Sequence, residues 1–108
     1  MVASFRDTET MLVRAVRIDE TLLGKDSVGM IAPVNSLCDL YHRWNKPDQE
    51  EPCYARLNSL LEKQYGANSP ILVQSLTTQA QLLRKLGRAQ EATQVEQRLQ
   101  KINAPVNK

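Results

Sequence analysis

The stretches LLGKDS, residues 22–27, and QYGANS, residues 64–69, share one pattern at the end of an apolar segment. In each stretch a glycine is followed three residues later by a serine. Glycine readily adopts the positive-φ conformations that close many helices, and a serine side chain accepts hydrogen bonds from free amides at the start of the next helix. Each stretch therefore predicts a helix end and then a helix start, with stops at Gly24 and Gly66 and caps at Ser27 and Ser69.

The two stretches are separated by 42 residues, since 66 − 24 = 42. A period between about 20 and 50 residues is typical of solenoids, in which each helical pair buries its apolar face against the next pair. The interval thus predicts stacked helical hairpins. The same interval relates further identical residues: Arg14 and Arg56, Leu40 and Leu82, Arg56 and Arg98, and Leu57 and Leu99.

Apolar residues recur at helical spacing along most of the chain, and the strict alternation typical of strands is missing. We therefore predict an all-α protein with five helices. Segments 45–48 and 87–88 are tight turns, so the helices that they connect should run antiparallel. The predicted helices are Asp7–Leu23, Met30–Trp44, Asp48–Tyr65, Ile71–Leu86 and Ala89–Ile102.

The segment NSLCDLYHRWNKPDQEEPCYARLNSLLEKQYGANSP, residues 35–70, resembles tetratricopeptide repeats (TPRs) of the longer kind seen in kinesin light chain and in many bacterial proteins. That family has the pattern Leu-Asn-Asn-Leu-Ala-x-Leu-Tyr, a turn, Ala-Glu-Pro-Leu-Tyr-x-Arg-Ala-Leu and a Gly-x-x-His-Pro linker. EPCYAR, residues 51–56, is the most specific match. The segment LTTQAQLLRKLGRAQEATQVEQRLQKI, residues 76–102, is similar to the last repeat of such arrays.

The resemblance covers about residues 7–102 and implies a single domain, residues 1–108, with a TPR-like α-solenoid fold. Each hairpin of such a fold has a first-type helix followed by a second-type helix. Residues 7–23 are then expected to form a second-type helix without its hairpin partner. Residues 27–66 form the first repeat, and residues 69–104 form the terminal repeat.

The resemblance also implies a function, because repeats of this family bind peptides along a concave face lined by the first-type helices. The helical period directs one apolar set into the core: Val34, Leu37, Cys38, Tyr41, Leu76, Ala80 and Leu83. The polar residues between them are expected to face the groove and bind a peptide or protein segment: Asn35, Asp39, His42, Arg43, Thr77, Gln81, Arg84 and Lys85. The alternative is that they form an ordinary solvated helix face.

Composition and motifs argue against other classes of function. The chain has 108 residues, of which 42% are hydrophobic and 24% charged, and a net charge of +2, so it suits one small domain without a nucleic-acid-binding basic patch. Catalytic motifs are missing, and His42 has no nucleophile partner at a known spacing, so we expect no enzymatic activity, metal or cofactor. Without a run of roughly 18 apolar residues or a signal peptide, we expect no membrane partner and a cytoplasmic location.

Two pairs of chemically reactive residues are expected to be structural. Cys38 and Cys53 fit no metal-binding spacing and are expected to be reduced thiols in the interior. The adjacent carboxylates Glu50 and Glu51 point about 100° apart on a helix, which is poor geometry for shared proton transfer. We expect them to be surface charges.

The first helix has a wide apolar face. Because this helix lacks a hairpin partner, part of that face has no cover within the chain. Either the chain is a fragment of a longer array, or two copies pair through this helix as a homodimer. The sequence thus leaves an assembly module as the alternative to a peptide-binding scaffold. One stripe of the face contains Met11, Ala15, Ile18 and Leu22, and Leu12, Val16 and Leu23 lie beside it.

Overall fold

The computed structural model describes residues 4–103, and every regular element in that range is helical. The prediction of an all-α chain with five helices is confirmed, and each helix ends within two residues of the expected positions. The outermost parts of the predicted domain, residues 1–3 and 104–108, lie outside the described residues. The helices are α1 (Phe5–Leu23), α2 (Ile31–Trp44), α3 (Pro47–Tyr65), α4 (Val73–Lys85) and α5 (Ala89–Asn103).

The chain leaves α1 and α3 through the same turn. Gly24 has φ 91° and ψ 148°, and Gly66 has φ 97° and ψ 156°. Residues with side chains rarely adopt this region. A Cβ atom at either glycine would meet no neighbouring atom within 4 Å, so glycine is required for conformational rather than steric reasons.

Ser27 and Ser69 cap the segments that follow these turns, as predicted. Each side chain accepts a hydrogen bond from the amide two residues later, at 3.1 and 3.3 Å. The capped segments are single turns of 3-10 helix, Val28–Met30 and Pro70–Leu72. Because these turns come first, α2 and α4 begin one and two residues later than predicted.

Each helix packs on its neighbours in the chain: α1 on α2, α2 on α3, α3 on α4, and α4 on α5. Only Asn45 and Lys46 connect α2 to α3, and Asn45 has a left-handed conformation with φ 58° that reverses the chain. The described part is elongated, with extents of 55 × 32 × 22 Å. The seven apolar residues predicted for the core are all buried: Val34, Leu37, Cys38, Tyr41, Leu76, Ala80 and Leu83.

The two cysteines lie between α2 and α3. Both thiols are free; Cys38 is buried, and Cys53 is only partly buried. The hydrogen bond between them and the burial of Cys38 raise the pKa of the Cys38 thiol above its ordinary value. The predicted burial is confirmed for Cys38, whereas Cys53 lies at the edge of the core.

The beginning of α1 is attached to the end of α2 by aromatic side chains. The Trp44 ring stacks on Phe5, with 5.8 Å between ring centroids, and on Tyr41, with 6.4 Å. The Tyr41 hydroxyl donates a hydrogen bond of 2.6 Å to Oε2 of Glu9. Burial, and then this hydrogen bond, raise the pKa of Tyr41 above its ordinary value. These contacts hold α1 against the rest of the chain.

Only part of the apolar face of α1 is covered. Val16 is buried against the core, and Leu12 packs against it. The stripe formed by Met11, Ala15, Ile18 and Leu22 is exposed instead, with exposed fractions of 66% for Met11, 52% for Ile18 and 74% for Leu22. We call these four residues the outer stripe of α1. The expectation that part of this face lacks cover within the described chain is confirmed.

Candidate peptide-binding groove

A groove lies between α2 and α4, with α3 beneath it. Helices α2 and α4 both pack on α3 and make little direct contact with each other. The groove has two compartments of about 300 and 210 Å³. Thr78 of α4 lines both compartments, so they are adjacent.

The larger compartment combines polar walls with a largely apolar floor. Asn35 of α2 and Gln74 of α4 contribute amide groups, and Thr78 contributes a hydroxyl. The floor comes from α3, where Leu57 and Leu61 are buried and Tyr54 is partly buried. Such a surface offers both hydrogen bonds and apolar contact to a ligand. The full lining is Asn35, Tyr54, Leu57, Leu61, Ile71, Gln74, Ser75 and Thr78.

The smaller compartment contains the charged side chains of the groove. Nδ1 of His42 lies 3.1 Å from Oε2 of Glu50, a buried carboxylate of α3. Across the groove, Nζ of Lys85 lies 3.4 Å from Oδ1 of Asn45. Lys85 is exposed, so this end of the groove has an accessible cation. The lining consists of His42, Asn45, Glu50, Thr78, Gln81, Leu82 and Lys85.

Four of the eight residues predicted to bind peptide line this groove: Asn35 and His42 from α2, and Gln81 and Lys85 from α4. The other four line neither compartment. Asp39 and Arg43 pair with each other on α2, with 3.1 Å between Nε of Arg43 and Oδ2 of Asp39. Thr77 donates to the carbonyl of Val73 at 2.7 Å, and Arg84 makes two hydrogen bonds to Glu96 of α5, at 2.8 and 2.5 Å.

The 42-residue interval explains this division. Helices α2 and α4 each have two polar flanks, one on each side of the buried face. The groove is formed by one flank of α2 and by the opposite flank of α4. The residues outside it are the repeat counterparts of those inside: Asp39 corresponds to Gln81, Arg43 to Lys85, Thr77 to Asn35, and Arg84 to His42.

Sequence reasoning missed several lining residues. Gln74 and Thr78 follow the same helical stripe as Gln81 and Lys85, with spacings of 4, 3 and 4 residues. That spacing could have predicted both residues from the sequence. No comparable sequence pattern predicts the contribution of Tyr54, because it depends on where α3 lies beneath α2 and α4.

Glu50 and Glu51 are buried, with only 3% and 5% of their surface exposed, so the prediction of surface charges is wrong. Glu50 contacts His42, as described above. Glu51 accepts hydrogen bonds from Nε2 of Gln79 at 3.0 Å and from Nη1 of Arg88 at 2.9 Å. These partners offset the cost of removing the carboxylates from water. The sequence pattern missed this burial because α2 and α4 pack over the early turns of α3.

A chain of polar side chains extends from Glu51 and holds α4 on α3. Gln79 uses its carbonyl oxygen to accept a 2.9 Å hydrogen bond from Nδ2 of Asn58. Asn58 in turn accepts a hydrogen bond from the hydroxyl of Ser75. Arg88 connects this network to the segment before α5 and also binds Glu91, which lowers the pKa of that carboxyl group. The network positions the α4 wall of the groove relative to its floor.

Within residues 4–103, no group of three or more His, Cys, Asp or Glu side chains is arranged to hold a metal ion. None of the described helices is both long enough and apolar enough to cross a membrane. Comparison with models of known protein families gave no match, and comparison with curated proteins gave none either.

Proposed function

We propose that this chain is a non-enzymatic protein-interaction module that binds an extended peptide in the groove between α2 and α4. The groove itself carries the proposal, since two helices hold polar side chains on either side of a partly apolar floor. An extended peptide has free backbone amide and carbonyl groups, which Asn35, Gln74, Thr78 and Gln81 are suited to bind. Its apolar side chains would contact Tyr54 in the floor.

The cation at the narrow end favours one type of peptide. Lys85 is exposed beside the amides of Asn45 and Gln81, so an acidic side chain or a terminal carboxylate would find a charge-assisted hydrogen bond there. We therefore propose a peptide with a carboxylate at the end that lies near Lys85.

We also propose that the fold is a TPR-like α-solenoid, as the sequence resemblance suggests. Recurrence of local structure at the 42-residue interval supports this assignment. Gly24 and Gly66 have nearly the same backbone angles, and Ser27 and Ser69 make the same cap. The 3-10 turns also begin 70 − 28 = 42 residues apart. Packing of each helix on its chain neighbours is the arrangement expected of stacked repeats.

The groove proposal is tested with peptides selected from a random-peptide display library on the intact chain. We expect bound peptide to shift the backbone amide NMR signals of Asn35, Thr78 and Gln81. The Lys85→Glu variant should weaken binding roughly tenfold or more, since a hydrogen bond to a charged group is worth about 1.5–3 kcal/mol. Arg43→Gln is the matched control, because Arg43 lies on the flank of α2 outside the groove.

Binding that survives both Lys85→Glu and a bulky Thr78→Arg substitution would contradict the groove proposal. Shifts confined to the outer stripe of α1 would contradict it as well, and would favour the second candidate function.

That second candidate is an assembly module that acts through α1. The outer stripe favours it, because Met11, Ile18 and Leu22 are large apolar residues aligned on one exposed helix face. Aligned apolar side chains of this kind are typical of helix–helix contacts.

A further inference from the structure

Arg56 and Arg98 make the same set of contacts in successive repeats. Nη2 of Arg56 lies 2.6 Å from Oε2 of Glu20 and donates to the carbonyl five residues beyond that glutamate at 3.2 Å. Arg98 pairs with Glu62 in the same way and donates to the carbonyl five residues beyond it at 3.0 Å. In both cases a second-type helix binds the carboxyl-terminal end of the second-type helix before it.

Arg14 of α1 is the preceding member of this series, since 56 − 14 = 42. It is exposed, and within residues 4–103 no carboxylate or carbonyl pairs with its guanidinium. The contacts of Arg56 and Arg98 define what a partner of Arg14 would look like: a glutamate in the last turn of a helix, followed five residues later by an accessible carbonyl.

Three of the four residues of the outer stripe have buried or partly buried counterparts on α3. Leu60, the counterpart of Ile18, is only 2% exposed. Cys53, the counterpart of Met11, contacts Cys38 of α2. On α3, therefore, the positions equivalent to Met11, Ala15 and Ile18 are covered, whereas Gln64, the counterpart of Leu22, is exposed. The outer stripe and Arg14 are independent features of α1. Both thus lack partners of the kind that their counterparts on α3 and α5 have.

A second copy of the chain does not supply the groups that Arg14 would bind. Glu20 and Glu62 of each copy are already engaged by Arg56 and Arg98. Stacking of copies end to end is also disfavoured, because the outer face of α5 is polar and gives the apolar stripe no complementary surface. That face presents Gln97, Gln100 and Lys101.

We infer that the outer face of α1 docks a partner helical pair that is not part of residues 1–108. One helix of the partner covers the outer stripe of α1, and the other ends in a glutamate and a turn that bind Arg14. This inference rests on the second candidate function and names its partner by chemistry: an apolar-faced helix preceded by a helix with an acidic carboxyl-terminal turn.

The test provides such a helical pair from the chain itself. A duplicate of residues 5–46 is joined directly before Phe5 of the chain, which keeps the repeat interval because 47 − 5 = 42. The duplicate then places its own α2 against the outer stripe and its own Glu20 near Arg14. We expect the amides of the original α1 to exchange roughly tenfold more slowly than in the 108-residue chain, since a hydrogen bond to a charged group is worth at least about one factor of ten.

Arg14→Gln in the extended chain should remove most of this protection, and Arg14→Lys should keep part of it. Neither substitution should change exchange in the original chain, where Arg14 has no partner among the described residues. Arg17→Gln is the control, because Arg17 is an exposed cation of the same helix outside the series.

Equal exchange in the two chains, or equal effects of Arg14→Gln and Arg17→Gln, would overturn the inference. Sedimentation equilibrium of the 108-residue chain distinguishes this inference from the broader assembly function. We expect a monomer. A dimer that Leu22→Ser dissociates would show that a second copy occupies the face, which would support assembly but overturn the partner proposed here.

Discussion

Asn58 of α3 and Val16 of α1 occupy equivalent positions, and both are buried. The partner of Asn58 across the interface with α4 is Gln79, whose counterpart on α2 is the buried Leu37. The chain therefore has apolar side chains at Val16 and Leu37, and hydrogen-bonded amides at the positions 42 residues later, Asn58 and Gln79. The hydrogen bonds between these amides compensate the cost of their burial, because an amide buried without a partner is costly.

We predict that Asn58→Val lowers the free energy of unfolding by about 1–3 kcal/mol, because Ser75 and Gln79 lose a buried hydrogen-bond partner. Gln79→Leu alone should also destabilise the chain, since it removes a partner of Glu51. The double variant should lose less than the sum of the two, because it places apolar side chains at both positions, as Val16 and Leu37 do 42 residues earlier. Urea unfolding of the unmodified chain, the two single variants and the double variant measures this energetic coupling.

Gln97→Leu is the control for this cycle, because Gln97 is exposed on α5 and its replacement should change stability little. The prediction would be contradicted if the double variant's loss in free energy of unfolding equals the sum of the two single losses to within about 0.5 kcal/mol.

Among the helices, α1 and α3 show how a single glycine turn determines helix length. Both helices have 19 residues, and both end where a glycine takes a conformation that other residues avoid. The chain then passes through the same kind of capped 3-10 turn into the next helix. Helix length and the direction of the following helix are thereby determined within a few residues of each turn.

We predict that Gly24→Ala and Gly66→Ala each lower the free energy of unfolding by about 1–3 kcal/mol. The cost is conformational, since a Cβ atom meets nothing within 4 Å at either position. The two sites are distant in the chain and share no partner, so the double variant should show the sum of both effects. Thermal and urea unfolding measure these changes.

Ala67→Gly serves as the control in the same turn, because Ala67 is exposed and does not have a positive φ. If Gly66→Ala proves as harmless as Ala67→Gly, the turn does not depend on the positive φ of Gly66.

At the scale of the whole molecule, the two ends of the helical stack differ. The first helix presents an apolar outer stripe, whereas α5 presents glutamines and a lysine. Equivalent residues therefore have different surroundings: Ile18 is 52% exposed, and Leu60 is 2% exposed. Position in the stack, rather than residue type, accounts for this difference.

We predict that Leu60→Ala costs about 2–5 kcal/mol in the free energy of unfolding, because it leaves a cavity in the core. Ile18→Ala should cost less than about 1 kcal/mol in dilute solution, since half of that side chain already contacts water. Urea unfolding at several protein concentrations measures both. A cost at Ile18 that rises with concentration would contradict the prediction and indicate that a second copy covers the stripe.

The sequence by itself determined the five helices, the turns at Gly24 and Gly66, the caps at Ser27 and Ser69, and the seven core residues. These features depend on backbone preferences of single residues and on the period of one helix, both of which are local in the chain. Helix ends shifted by one or two residues, and the late starts of α2 and α4 follow from the 3-10 turns that come first.

Only the tertiary structure decided which polar flanks line the groove, why Glu50 and Glu51 are buried, and which stripe of α1 stays exposed. Each of these depends on how one helix is rotated against another. The helical period defines the faces of a single helix, but it does not tell which of two similar polar or apolar faces meets a neighbour. That choice follows from contacts between residues far apart in the chain.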